Sequence, residues 1–278
     1  MKLPYTLLYS LTICLISACT IQKQPINIQE QAIISWRSPE GIQRLAESNY
    51  KIDFFTLANH FESQHNKLFC GPASAAIVLN SLRIRNSTLK IPQDTTLLSA
   101  ADLQFFSSKT WSPFFERYTQ NNIFMNSPKS RALVLGEVLL DEQGEAQHTL
   151  RGKPRRDRGF QVRQLAELFL KHDLTVKIGI VTQGLASTVI KQDLLKNLQH
   201  PDDYVIVNYK RGVLQQAGGG HISPIGAYHQ ASDSFLIMDV TPNKADWVWV
   251  KAELLFNAMR TFDTVENRGY LLVSAGNK

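Results

Sequence analysis

The sequence predicts an α+β protein in which helices come first and an antiparallel sheet follows. The first half contains an apolar helix that starts at Cys70, and the second half contains runs of strand length that begin at Val176, Tyr204, Ile222 and Phe235. The 278 residues are enough for one large domain with a well-filled core. We therefore expect a helical N-terminal half and an antiparallel β-sheet in the C-terminal half.

The N-terminus has the pattern of a secretory signal. An uncharged run over residues 5–18 is shorter than the ~20 residues that a membrane-spanning helix needs. It ends in small residues before Cys19, which is typical of lipoproteins whose cysteine thiol is lipidated when the signal is removed. A plain secretory signal with an incidental cysteine is the alternative. We expect a signal peptide over 1–18, a tether over 19–34, and a lipid anchor at Cys19 that faces the periplasm from the outer rather than the inner membrane.

Cysteine usage leaves one free thiol in the expected mature protein. Of the three cysteines, Cys14 leaves with the signal peptide and Cys19 carries the lipid, so Cys70 remains. No CxxC redox pair or thiolate zinc site is then available, and the seven histidines include no HExxH motif. We therefore expect no protein-bound metal and no cofactor. A lone thiol in an oxidising compartment is either buried or used.

The net charge of +6 is modest. It suits an anionic small substrate or an anionic lipid surface, and no basic motif with interleaved aromatic residues predicts nucleic-acid binding. Turn residues are frequent over residues 107–159, and this segment ends in a cluster of five cations, namely Arg151, Lys153, Arg155, Arg156 and Arg158. We interpret the cluster as a solvated loop, with contact to phosphate or lipid headgroups as the alternative.

Cys70 lies where a turn leads into a helix. Pro72 fits the first helical turn, where a missing N–H is no loss, and apolar residues continue with helical spacing to about Leu82. Free N–H groups at a helix N-terminus favour the thiolate over the thiol. Cys70 is thus a candidate nucleophile, and a buried structural cysteine is the alternative.

A histidine and an aspartate on the predicted strands supply the partners that such a nucleophile needs. His221 follows a run of glycines, of which Gly219 and Gly220 let the backbone approach a substrate closely. The two-residue period places Asp239 on the same face as Ile237, where an ionised carboxylate requires a cation or donors. Because the two strands can pair as a hairpin, Asp239 can orient His221, and His221 can take the thiol proton.

Gln64 precedes Cys70 by six residues and carries neutral N–H donors. With the backbone N–H of Cys70 it forms a candidate oxyanion hole. The motif from Gln64 to Leu82, together with the segments 209–228 and 235–240, resembles the catalytic domain of phytochelatin synthases, and in particular the short bacterial members of this papain-like family. The resemblance spans most of residues 35–275.

The resemblance implies a papain-like fold and a reaction. Cys70 attacks the Cys–Gly amide of glutathione, releases glycine and carries γ-glutamylcysteine as a thioester, which passes to water or to a second glutathione. The resemblance also implies that Asp263 and Arg268 hold the amino and carboxylate groups of the γ-glutamyl unit, and a bidentate grip on a carboxylate suits arginine. Heavy-metal ions would enter only as glutathione thiolate complexes.

Two departures from the family pattern bear on these expectations. Residues 107–159 look longer than the family counterpart, so we expect part of this segment to be an insertion that shapes the acceptor side of the cleft. The cysteine-rich C-terminal extension of the plant enzymes is absent, which favours hydrolysis over polymerisation. One alternative is a papain-like peptidase or amidase that acts on another periplasmic γ-glutamyl or peptidyl substrate. A second alternative is a lipoprotein that binds thiols or metals without catalysis. Whether the protein forms a homodimer is left open by the sequence.

Overall fold

The structure, a computed structural model, describes residues 33–84, 89–106 and 111–275. The chain divides into two units, residues 1–31 and residues 32–278, and the fold described below is that of the second unit. The expected signal peptide, the expected lipid anchor at Cys19 and most of the expected tether lie outside the described residues. Within those residues, no helix is both long enough and apolar enough to cross a bilayer.

The described ranges of the second unit contain eight α-helices and seven β-strands. The helices are α1 (Pro39–Glu47), α2 (Ile52–Asn59), α3 (Cys70–Arg83), α4 (Ala100–Leu103), α5 (Arg131–Leu135), α6 (Val162–Leu170), α7 (Ser187–Asn197) and α8 (Ala252–Met259). The strands are β1 (Ile33–Ser35), β2 (Leu174–Ile180), β3 (Asp203–Lys210), β4 (Gly220–His229), β5 (Ser234–Ile237), β6 (Val248–Lys251) and β7 (Gly269–Ala275). The predicted α+β class, with helices before strands, is confirmed.

The strands form one antiparallel sheet in the order β1-β6-β5-β4-β3-β7-β2, so β4 lies at its centre. Because successive side chains of a strand point to opposite faces, β3 divides its residues between two hydrophobic clusters. Tyr204 and Ile206 pack with the cluster that contains α3 and α6, and Val205 and Val207 pack with the cluster that contains α7 and α8. Helices therefore cover both faces of the sheet.

Helix α3 is buried along almost its whole length, from Gly71 to Ser81. A helix that is apolar all round is stable only when it is enclosed, and α3 lies against β4 and α6 within the core. Its first residue is therefore fixed by the packing of the whole domain.

The N-terminal strand corrects the tether prediction. The tether was expected to reach residue 34, but Ile33 and Ile34 pair with Val250 and Trp249 at the edge of the sheet. Ile34 is buried by this pairing. A three-residue strand has too few residues to show a period, so its place becomes visible only when the partner strand is known.

Strand β5 is shorter than the predicted strand that begins at Phe235, which was expected to include Asp239. It ends at Ile237, and the register between β4 and β5 shifts at Gly226 of β4, where a Cβ would lie 2.6 Å from the sulfur of Met238. Past the end of β5, the N–H of Met238 still donates to the carbonyl of Pro224 on β4. Asp239 lies two residues beyond β5 and not on the strand.

Residues 137–156 form a largely exposed loop region with three short antiparallel segments, here called arms. Antiparallel bridges close the arms at Val138–Arg156, Leu140–Ala146 and His148–Pro154. Where the arms meet, the N–H groups of Leu139, Gln147 and Arg155 donate in a ring to the carbonyl groups of Arg155, Leu139 and Gln147. The five clustered cations of residues 151–158 are exposed and form no ion pair with a described residue, which agrees with a solvated loop.

Candidate active site

The start of α3 is held by aromatic packing. Cys70 is the first residue of the helix, and the fully buried ring of Phe69 precedes it, 5.7 Å from the ring of Phe124. On the other side of Cys70, a Cβ at Gly71 would lie 3.0 Å from the ring of Phe160. Phe124 and Phe160 stack on each other at 6.3 Å. The segment that carries these two rings thus fixes the position of the cysteine.

The imidazole of His221 acts on the ionisation of the Cys70 thiol. Burial opposes ionisation of the thiol, but His221 and the backbone at Ile222 and Gly71 together outweigh it, so the pKa of Cys70 is lowered. On His221, burial favours the neutral ring, but its interactions with Asp239 and Cys70 outweigh burial and raise the pKa. Both shifts favour a thiolate–imidazolium pair.

His221 is oriented by Asp239, as the sequence predicted. Nε2 of His221 lies 2.9 Å from Oδ1 of Asp239, which leaves Nδ1 for the sulfur of Cys70. Asp239 is fully buried, yet burial is outweighed by His221 and by the charge of Arg211, so its pKa is lowered. The backbone N–H of Thr241 donates to Oδ1 at 2.7 Å and the hydroxyl of Tyr209 donates to Oδ2 at 3.2 Å. The carboxylate is therefore ionised and fixed.

Arg211 is the functional residue that sequence reasoning missed. Its Nη2 lies 2.8 Å from Oδ1 and 2.7 Å from Oδ2 of Asp239, and the residue is 3% exposed. The signal for it was present, because an ionised Asp239 in an apolar run requires a cation. The sequence did not say which of many cations that was.

The glycines before His221 make room for two arginines. Gly218 has φ +122°, and a Cβ there would lie 3.0 Å from Cδ of Arg211. At Gly220 a Cβ would lie 2.7 Å from Nη2 of Arg268. Gly219 faces open space, which agrees with the predicted approach of a substrate. The triplet thus serves arginine packing as well as access.

Gln64 is placed beside the same residues. Its Oε1 accepts a hydrogen bond from the Thr241 hydroxyl at 2.6 Å, and its Nε2 donates to the Asn66 carbonyl at 2.5 Å. An amide nitrogen carries two hydrogens, so one stays available to a ligand. The backbone N–H of Gln64 also donates to the carbonyl of Val240, which follows Asp239. Its role in an oxyanion hole stays a prediction.

Asp263 and Arg268 lie together near the cysteine. Nη2 of Arg268 is 2.8 Å from Oδ1 of Asp263, and the side-chain amide of Asn208 donates to Oδ2 at 2.9 Å. Nε of Arg268 is buried and has no partner among the described residues. Burial lowers the pKa of Arg268, and the charges of Asp263 and Cys70 oppose that shift. Its Nη2 lies next to Gly220, which precedes His221, so the pair borders the residues of the site.

A cavity of about 310 Å³ opens beside His221 and Gln64. It is lined by Gln64, His65, Asn66, Lys67, Arg211, Gly218, Gly219, Gly220, His221, Thr241, Asn243 and Lys244. This lining contains cations and amides but no carboxylate. Elsewhere in the described residues, no group of three or more His, Cys, Asp or Glu is arranged to hold a metal ion.

A cysteine at a helix N-terminus, a histidine on a sheet and a carboxylate that orients the histidine define the class of proteins with a cysteine nucleophile for acyl transfer. The papain-like arrangement expected from the resemblance is present. The chain belongs to the phytochelatin synthase family, because the family model described as Phytochelatin synthase matches residues 23–97 and 94–270.

The curated relatives of this chain include plant proteins. The chain is 26% identical over 251 residues to glutathione gamma-glutamylcysteinyltransferase 3 of Lotus japonicus, covering 87% of this chain and 42% of that protein. It is 27% identical over 250 residues to glutathione gamma-glutamylcysteinyltransferase 2 of Arabidopsis thaliana, covering 87% of this chain and 44% of that protein. The chain thus spans about two fifths of the length of these relatives.

A similar solved structure is the peptidase domain of Streptococcus ComA, a bi-functional ABC transporter involved in a quorum-sensing pathway. The match has a TM-score of 0.39 and 12% sequence identity, and it covers 78% of this chain and 100% of that domain.

Proposed function

We propose that the protein cleaves the Cys–Gly bond of glutathione and transfers the γ-glutamylcysteinyl group from Cys70 to water or to a second glutathione. The observation that carries this proposal is the arrangement of Cys70, His221 and Asp239, in which His221 is hydrogen-bonded to Asp239 and lowers the pKa of Cys70. The names of the relatives supply the substrate, since each is a glutathione gamma-glutamylcysteinyltransferase.

The first half of the reaction follows from the thiolate–imidazolium pair. The Cys70 sulfur attacks the carbonyl carbon of the cysteinyl residue, and the negative charge that develops on the oxygen is met by the Cys70 backbone N–H and the second N–H of Gln64. The C–N bond then breaks, and His221 gives its proton to the departing glycine amine. A thioester on Cys70 and a neutral His221 remain.

The second half reverses the proton transfer. A water molecule or an acceptor amine attacks the thioester while neutral His221 takes a proton from it, and Cys70 leaves as a thiolate. Asp239 keeps the same ring nitrogen facing the sulfur in both halves, since it is held by Arg211 and Thr241 as well. Asp263 and Arg268 hold the γ-glutamyl amine and carboxylate throughout.

Incubation of the purified protein with glutathione tests the proposal. Release of glycine together with γ-glutamylcysteine, and loss of both in the Cys70→Ser variant, are the expected results. Inertness toward glutathione together with turnover of other γ-glutamyl or peptidyl amides would instead support a papain-like peptidase or amidase. A thiol-binding or metal-binding protein without catalysis predicts that Cys70→Ser changes no product.

We also propose that the protein is a lipoprotein attached to a membrane through Cys19 and facing the periplasm. The support is the sequence pattern of residues 5–19 alone. In bacterial cells that are fed labelled palmitate, the wild-type chain should carry label and sediment with outer membranes. The Cys19→Ala variant should lose the label, and equal labelling of this variant would contradict the proposal.

A further inference from the structure

The cavity beside His221 carries charge of one sign. Lys67 and Lys244 lie on it, and its lining contains no Asp or Glu. Both lysines are exposed, and neither forms an ion pair with a described residue. Arg211, the third cation, is already paired with Asp239. The two lysines therefore remain as positive charges available to a ligand, and a pocket with this charge attracts anions.

The place of the cavity indicates which part of the substrate enters it. In the proposed reaction His221 protonates the leaving amine, so that amine must come within hydrogen-bond distance of the ring. His221 lines the cavity, whereas Asp263 and Arg268 do not. The leaving glycine is therefore the part that meets Lys67 and Lys244, and the γ-glutamyl group lies outside the cavity.

The leaving group and the acceptor share one chemical arrangement. Glycine carries a carboxylate one carbon away from the amine that accepts the proton. In a second glutathione, the attacking α-amine of the γ-linked glutamyl residue also has a carboxylate one carbon away. An ordinary α-linked peptide has an amide at that position, and water has no carboxylate at all. One site can thus recognise both partners of the reaction.

We propose that the cavity with Lys67 and Lys244 binds the carboxylate of an α-amino acid next to His221, and that it selects both the leaving group and the acceptor. This inference rests on the proposed acyl transfer and adds the class of acceptor. In the transfer, the acceptor nitrogen bonds to the thioester carbon, the C–S bond breaks, the sulfur leaves as a thiolate, and His221 takes the amine proton. The selected acceptors are amino acids and γ-linked peptides.

Isotope exchange tests the site. The full chain is incubated with unlabelled glutathione and equal concentrations of labelled glycine and labelled glycinamide, and mass spectrometry measures incorporation of each label. Glycinamide lacks the carboxylate but keeps the amine. The wild type should incorporate glycine at least about tenfold faster. Lys67→Gln and Lys244→Gln should each lower the ratio of glycine to glycinamide incorporation about fivefold, the size of an exposed ion pair. The ratio reports the acceptor step alone, because both amines attack the same acyl-enzyme.

The Lys171→Gln/Lys196→Gln variant is the matched control, since both residues are exposed and outside the cavity. It should keep the wild-type preference. Equal incorporation of the two amines by the wild type, or an unchanged preference in Lys67→Gln/Lys244→Gln, would overturn the inference and leave the proposed function standing. If the wild type releases no glycine and incorporates neither amine, both proposals fall.

Discussion

Arg211 and Asp239 form an ion pair inside the protein, with Nη2 2.7 Å from Oδ2 and side chains that are 3% and 0% exposed. Removing one partner of such a pair leaves a buried charge without compensation. We expect Arg211→Gln to lower the free energy of unfolding in urea by about 3–5 kcal/mol and to lower activity as well. Arg163→Gln breaks the exposed pair with Glu266 and should cost about 1 kcal/mol or less.

If Arg211→Gln and Arg163→Gln lower the free energy of unfolding by the same small amount, the buried ion pair of Arg211 with Asp239 does not have the proposed effect on stability. The circular dichroism spectrum of each variant without urea shows whether the variant folds, and the urea titration then measures its stability.

The pH dependence of Cys70 alkylation reports the thiolate directly. Because His221 lowers the pKa of Cys70, iodoacetamide should label the wild type well below the pH at which an ordinary thiol, with a pKa of about 8.5, ionises. In the His221→Asn variant, labelling should move to higher pH, since burial then acts without the imidazole that lowers the thiol pKa. Labelling of the wild type that begins only near the ordinary thiol pKa would argue against an activated cysteine.

Asp263 and Arg268 should act on substrate binding more than on chemistry. We expect Asp263→Asn to raise the KM for glutathione about tenfold, the effect of losing one charged hydrogen bond to the γ-glutamyl amine, with a smaller change in kcat. Steady-state glycine release measures both constants. Glu266→Gln in the same loop is the control and should leave KM unchanged. A large fall in kcat with KM unchanged would place Asp263 in the chemical step.

Much of the candidate active site was predictable because its residues differ in type from the residues around them in the sequence. A cysteine at a helix start, a histidine after glycines and an aspartate in an apolar run each break the local pattern, and the structure joins all three. Regular elements were also predictable, since α6 begins at Val162 and ends at Leu170, where the apolar period begins and ends.

Contacts across the fold were not predictable in the same way. Arg211 meets Asp239 only because β3 ends beside the chain that follows β5, and no local pattern records that proximity. Lys67 and Lys244 are ordinary surface lysines by sequence, and they become a pair only when two loops border one cavity. The short strand β1 was missed for the same reason, since its pairing partner β6 is more than two hundred residues away in the chain.

The buried carboxyl group of Asp53 should make the stability of the protein depend on pH. It is buried, and neither carboxyl oxygen has a partner among the described residues. Burial, with the charges of Asp203 and Asp202, raises its pKa to about 9. The folded protein therefore keeps this proton while the unfolded chain loses it above about pH 4, so the contribution of Asp53 to stability falls by about 1.4 kcal/mol per pH unit as the pH rises toward 9.

Asp53→Asn removes this dependence and should make the protein more stable than the wild type at pH 8. Urea unfolding at several pH values between 5 and 9 measures the slope for each protein. Glu167→Gln, an exposed carboxylate on α6, should keep the wild-type slope. An Asp53→Asn variant with the wild-type slope would show that Asp53 does not hold its proton.

Intact-mass spectrometry after a brief exposure to glutathione tests the central claim most directly. The wild type, quenched in acid, should gain the mass of γ-glutamylcysteine minus water, and peptide mapping should place that mass on Cys70. His221→Asn should form the same adduct more slowly, and Cys70→Ser should form none. Glycine release at the wild-type rate by Cys70→Ser, or turnover by the wild type with the acyl group on another residue, would contradict the claim that Cys70 is the nucleophile.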